Sequence, residues 1–226
     1  MNMLTQIFEQ PILLMRIPAI IVALAFHELA HALVAYKLGD RSQEQRGRLT
    51  LNPVKHIDPI GILMLLLVGF GWAKPVMVDP RAFRNPKVGM GITSLAGPLT
   101  NFLLAFISAI LLVVVAQTSN VAMTTLNTST VADTVVTFLF FLMSINVALG
   151  VFNLMPIPPL DGSKVLGAFL PDSLYRKLMQ FERFGFIILI GLIFFIPGGL
   201  DFLGDIIRDI SLWMFDVADT IVGTFT

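Results

Sequence analysis

Residues Pro11 to Tyr36 read PILLMRIPAIIVALAFHELAHALVAY, an apolar run long enough to cross a bilayer that carries His27, Glu28 and His31 within it. About 20 apolar residues suffice for one crossing, and no polar face of the kind a soluble surface helix needs interrupts this run. Each ionisable side chain placed inside a membrane costs roughly 2.5–3.5 kcal/mol on insertion scales, so such groups are usually functional. Two histidines four residues apart project from one helix face, one turn apart. That spacing lets two imidazoles hold one zinc ion, with the intervening glutamate beside the open coordination position. The plainer alternative is a pair of core histidines hydrogen-bonded to neighbouring helices.

Composition agrees with a membrane setting. The 226 residues are 56% hydrophobic and 13% charged, against about 25% charged in soluble domains. Net charge is zero, so no basic domain exists to neutralise phosphates and a nucleic-acid partner is not expected. There are no cysteines, so any zinc must be bound through nitrogen and oxygen. The first fifteen residues contain no lysine or arginine and lack the basic start of a signal peptide. The first span, which holds the histidines, is therefore expected to be retained.

Four stretches reach crossing length: Phe8–Leu38, Val88–Ala116, Ala132–Leu154 and Phe184–Leu200. Pro59–Ala73 is apolar but short, and Gly69, Gly71 and Trp72 break its helical pattern. Lysine and arginine cluster at 37–55, 74–87 and 164–183, whereas 117–131 has neither. The positive-inside rule then puts the three basic stretches in the cytoplasm and the 117–131 loop and N-terminus outside. With basic residues on both sides, Pro59–Ala73 is predicted to enter and leave on one face, as a re-entrant segment covered by protein or water. Past Leu200, aspartates 201, 205, 209, 216 and 219 alternate with apolar residues at helical period. This tail reads as an interfacial helix or a last helix packed on the bundle, its acidic stripe a solvated face. The expected fold is an α-helical integral membrane protein of about four to five membrane helices, a re-entrant segment and a small β element. It forms one domain over 1–226, with a catalytic core of about 8–170 and accessory helices over about 184–226.

A catalytic zinc takes three protein ligands, so two histidines are incomplete. His56, beside Lys55 and Asp58, reads as an ordinary loop or interface residue. Asp161 stands out in Asn153-Leu154-Met155-Pro156-Ile157-Pro158-Pro159-Leu160-Asp161-Gly162. The prolines must end the third span in extended backbone, and Asp-Gly reads as a turn. His27 lies roughly 15 Å in from the cytoplasmic end of its helix at 1.5 Å per residue. The broken backbone ends on the same side, within reach of the histidines. Alone, the Asp161 motif is a plain turn; beside H-E-x-x-H it is a candidate third ligand.

HELAH on one span and NLMPIPPLDG after a later one resemble the paired signature of site-2 protease-type intramembrane zinc metalloproteases. Ala96-Gly97-Pro98-Leu99-Thr100-Asn101 and Gly71-Trp72-Ala73-Lys74-Pro75-Val76 add to the resemblance, which covers roughly Pro18 to Gly167. It is to the compact form without PDZ or CBS domains, so gating by such modules is not expected. The resemblance implies one Zn2+ per chain held by His27, His31 and Asp161, with Glu28 as base and Asn153 binding the substrate carbonyl. It implies cleavage of transmembrane protein or peptide substrates in the lipid bilayer of a bacterial or archaeal cell, from a site opening toward the cytoplasm. An amide such as Asn153 suits a developing oxyanion, and Asn146, two turns earlier, is placed to support it or to make a helix–helix hydrogen bond. Gly97, Pro98 and Asn101 read as close helix packing and a kink. Trp72–Asp79 is a candidate edge strand for an unwound substrate, or an ordinary loop. The rival from another class is a zinc-binding membrane protein without hydrolysis, such as a transporter or inactive scaffold. A transporter would spread ionisable groups along several spans and would have no need for Glu28.

Overall fold

The computed structural model describes residues 14–56, 58, 60–61, 74–119, 121, 130–182, 184–185, 187, 189, 191 and 201–224. Three helices are long and apolar enough to cross a membrane: α1 (Arg16–Lys37), α2 (Pro86–Ser119) and α3 (Val131–Asn153). The chain is an integral membrane protein, and these helices match the first three predicted spans. The sequence predicts four to five membrane helices, and the described residues supply three. The predicted fourth span, Phe184–Leu200, falls mostly outside the described residues. So does the re-entrant segment Pro59–Ala73, apart from Ile60 and Gly61.

Helix α2 is the central element, packing on both α1 and α3. Its 34 residues span roughly 50 Å at 1.5 Å per residue, well beyond a hydrocarbon core of about 30 Å. Pro98 lies inside it without ending it; neighbouring helices make an interior proline tolerable in a membrane. Ala105, Ala109 and Val113 of α2 are fully buried and share a core with Val136, Met143 and Val147 of α3. Small residues at such contacts let helix backbones approach closely where lipid offers no hydrophobic drive to associate. Helix α3 starts at a capping box, in which the Thr130 hydroxyl accepts from Asp133 N–H at 3.0 Å and the Asp133 carboxylate accepts from Thr130 N–H at 3.0 Å.

Two shorter helices follow, α4 (Asp161–Phe169) and α5 (Asp172–Glu182), and then α6 (Asp201–Gly223). Helix α6 packs against α2 and α3 through Leu203, Met214, Ala218 and Val222. Gln117 reaches Asp219 at 3.1 Å. Of the two placements the sequence allows for this tail, the packed helix is the one observed, and its five aspartates are exposed.

No strand forms among the described residues. The described part of the predicted edge strand, 74–79, takes no regular secondary structure. Most of its hydrogen bonds go to the corner after α1: Lys74 N–H to His56 O at 2.9 Å, the Arg48 guanidinium to Lys74 O at 3.2 Å, and Gln43 Nε2 to Met77 O at 3.0 Å. That corner turns at Gly39, whose φ of 119° is closed to side-chain-bearing residues, and an added Cβ would meet Ala82 O at 2.8 Å. Buried Asp40 then accepts from Ser42 N–H, Gln43 Nε2 and Asp79 N–H at 2.7–3.0 Å.

Burial alone would raise the Asp40 carboxyl, but these donors outweigh it and hold its pKa below the ordinary carboxylate value. A depressed folded pKa contributes stability that is full above the unfolded value of about 4 and is lost as pH falls through the folded one. Asp40→Ala should therefore destabilise the protein at pH 7 by at least about 1.5–3 kcal/mol, the cost of a hydrogen bond to a charged group. The gap from wild type should close below pH 4. Thermal unfolding in detergent at the two pH values measures both.

Candidate metal centre

His27 and His31 face the same side of α1 with ring centroids 4.5 Å apart and planes at 89°. Their Nε2 atoms are 2.9 Å apart, and Asp161 Oδ2 lies 3.2 Å from the first and 3.1 Å from the second. Asp161 reaches them because α3 stops at Asn153 and the proline-rich stretch cannot continue it. Leu160, in extended conformation, caps a new helix whose first residue is Asp161. The Asp-Gly pair thus opens α4 rather than forming the turn its composition suggests. Gly162 sits so close to the Leu154 and Met155 carbonyls that a Cβ would strike backbone, which holds the start of α4 against the end of α3.

Each histidine is oriented from behind by α2. His31 Nδ1 lies 2.7 Å from Thr93 O, a carbonyl that can only accept, so Nδ1 carries the proton. His27 Nδ1 lies 2.6 Å from Asn101 Oδ1. Asn101 Nδ2 donates to Asn146 Oδ1 at 2.7 Å and to Ala23 O at 3.3 Å, which assigns its oxygen to His27 and the proton to His27 Nδ1. Both Nε2 atoms therefore present lone pairs toward Asp161. Asp161 Oδ2 faces both as a carboxylate oxygen, which can only accept. Three acceptors thus converge on one point with both imidazole protons committed elsewhere, an arrangement that calls for a cation. The donor set is two nitrogens and a carboxylate oxygen, mutually within 4.8 Å, and it suits zinc.

Glu28 stands outside this triangle. Its Oε2 accepts from Val76 N–H at 2.9 Å, tying α1 to the 74–79 segment. His27, Glu28, His31, Asn153 and Asp161 all line one cavity of about 430 Å³, with Val76 and Val78 on its wall. The five residues singled out in the sequence are thus brought together. Asn153 donates one amide hydrogen to Leu149 O at 3.0 Å. Asn146 does not support it but faces Asn101. His56 is buried elsewhere, with Nε2 2.7 Å from Thr50 O.

The residues that sequence reasoning undervalued are Gly97 and Asn101. Thr93, Gly97 and Asn101 recur every four residues on α2 and form one stripe behind the histidines. A Cβ at Gly97 would run into the rings of both His31 and His27, so close packing there is a condition of the metal geometry. An asparagine within a membrane span, one turn from a glycine, was the available signal. Gly97→Ala should push the rings apart and cut zinc affinity by about 10–100-fold, the range for disturbing the surroundings of metal ligands. Zinc competition titration of the folded variant reads this directly.

The sequence profile of peptidase family M50 matches residues 15–197. "Putative zinc metalloprotease YwhC" of Bacillus subtilis is 41% identical over 169 residues, 75% of this chain and 75% of that protein. "Putative zinc metalloprotease Rip2" of Mycolicibacterium smegmatis is 32% identical over 178 residues, 76% of this chain and 64% of that protein. "Putative zinc metalloprotease MJ0611" of Methanocaldococcus jannaschii is 32% identical over 142 residues, 62% of this chain and 63% of that protein. No solved structure matches the chain at a significant level.

Proposed function

The chain belongs to peptidase family M50, and from that membership and the convergent triangle of acceptors we propose a zinc metalloendopeptidase that cleaves membrane proteins within or next to their transmembrane segments. The observation that carries this reading is the placement of His27, His31 and Asp161 with Glu28 and Asn153 around one cavity beside membrane-spanning helices. His27 Nε2, His31 Nε2 and Asp161 Oδ2 would hold the ion. Zinc, when bound, is a Lewis acid that lowers the pKa of water from about 15.7 to near 7.

The protein's own groups do the rest. Glu28 has Oε2 engaged by Val76 N–H, which aims the carboxylate and leaves Oε1 to take a proton from the attacking water. The same carboxyl then delivers that proton to the leaving amine. Asn153 has a second amide hydrogen beyond the one given to Leu149 O, and it donates to the oxyanion that develops on the scissile carbonyl. Asn153→Ala should lower turnover by about 10²–10³, the range for one oxyanion donor, with zinc content unchanged.

A substrate helix must unwind before its peptide bond can be attacked, because its carbonyls are already hydrogen-bonded. The 74–79 segment, with Val76 and Val78 on the cavity wall, is the proposed partner for the unwound stretch. Basic residues on both flanks of Pro59–Ala73 favour a site opening toward the cytoplasm. Cysteines introduced singly at Ser42 and Arg84 should both label from the cytoplasmic side; labelling of either from outside contradicts that topology. The reading as a whole is tested by using Glu28→Gln as a trap in native membranes and sequencing what co-purifies. Transmembrane segments that wild type then cleaves are expected; exclusive recovery of soluble proteins opposes it.

A further inference from the structure

The two metal-site histidines are held in different ways. His31 leans on a backbone carbonyl, Thr93 O, which no substitution removes. His27 leans on a side chain, Asn101, and that side chain leans on another, Asn146. We infer that Asn101 and Asn146 are positioning residues that form a hydrogen-bond relay setting the tautomer and ring orientation of His27, and through them the zinc affinity of the site. The inference rests on the reading of His27 as a zinc ligand.

The relay has a defined direction. Asn146 Nδ2 donates to Leu142 O at 2.8 Å, so Asn146 Oδ1 faces Asn101. Asn101 Nδ2 donates to that oxygen and to Ala23 O, so Asn101 Oδ1 faces His27. His27 must then carry its proton on Nδ1 and keep Nε2 free. Two backbone carbonyls, one on α1 and one on α3, anchor the order of donors and acceptors. Reversing either amide would set oxygen against oxygen. A free histidine side chain favours the opposite tautomer, with the proton on Nε2, so the protein must impose the ligand form. Both asparagines are 0% exposed, and a broken bond leaves a buried polar group unpaired. The chain joins α2 and α3 to a ligand on α1, so helix packing and metal geometry are linked through one set of atoms.

A plain helix–helix hydrogen bond would also bury two asparagines, and the test separates the two roles. The chain has only three histidines, so imidazole nitrogen spectra of the ¹⁵N-histidine-labelled full chain are simple to assign. In metal-free wild type, His27 is expected as the Nδ1–H tautomer. Asn101→Leu should move it toward Nε2–H and weaken zinc binding about 10–100-fold, the usual cost of losing the group that orients a ligand histidine. Asn146→Leu should give a smaller loss in the same direction. Asn146→Asp, kept neutral by burial inside the span, can donate its O–H to Leu142 O and keep a carbonyl acceptor for Asn101, and it should restore the wild-type tautomer and most of the affinity. In the double variant Asn101→Leu with Asn146→Leu, affinity should be no lower than in Asn101→Leu alone, because the second residue acts through the first.

Zinc affinity within twofold of wild type and an unchanged tautomer in Asn101→Leu would overturn the relay, as would fully additive losses in the double variant. If Asn101→Leu fails to fold, Asn146→Leu against Asn146→Asp decides, and equal affinity in those two variants overturns it. Failure of the underlying reading looks different. Wild type would then bind no zinc, or His27→Ala would keep wild-type affinity.

Discussion

Glu28→Gln should leave zinc bound and reduce hydrolysis to background. The substitution preserves size, and the glutamine carbonyl can still accept from Val76 N–H, where Glu28 Oε2 now accepts at 2.9 Å. Glu28 contributes no atom to the triangle of His27, His31 and Asp161, so metal content is untouched. What disappears is the only function an amide cannot supply, acceptance of a proton. General bases are typically worth about 10²–10⁴ in rate, and Glu28 is asked to serve twice, in attack and in departure of the amine. The loss should reach the top of that range or exceed it. Zinc stoichiometry by atomic emission and turnover on a reconstituted substrate are the paired measurements. Turnover near that of wild type would move the base elsewhere.

Asp161→Ala should behave in the opposite order, losing zinc first and activity as a consequence. Asp161 is the one anion among the three converging acceptors, and its removal leaves two neutral imidazoles 2.9 Å apart with too few ligands for a catalytic site. His27→Ala and His31→Ala should match it. Stoichiometry after dialysis against a chelator should fall from one ion per chain to near zero in all three variants. Full zinc and activity in Asp161→Ala would refute the assignment of the third ligand.

The contrast between these residues and Asn101 shows what a sequence can carry. His27, Glu28 and His31 are legible because helical spacing alone puts the histidines on one face, and the apolar run supplies the helix. Asp161 is legible more faintly, through prolines that force α3 to stop. Its Asp-Gly pair suggested a turn, yet it begins a helix, because an extended Leu160 provides the cap that starts α4. The sequence alone presents Asn101 as a packing residue, because which face of α2 lies against α1 decides what it touches, and no local pattern states that register. Only the stripe of Thr93, Gly97 and Asn101 against His31 and His27 makes the role visible. Residues 74–79 show the same limit. Their composition gives extended backbone, but whether that backbone pairs with a strand or with Asp40, Gln43 and Arg48 is decided by the corner after α1.

The chemistry proposed for this cluster is hydrolysis of a membrane-embedded peptide bond. It is tested most directly by mapping the bond cut when purified protein and a single-span substrate are reconstituted together in liposomes, using mass spectrometry of the products. The predicted result is a zinc-dependent cut within or next to the transmembrane segment by wild type, and none by Glu28→Gln. Cleavage that survives in Glu28→Gln, or wild-type protein that carries a full zinc ion and cuts no such substrate, would contradict it.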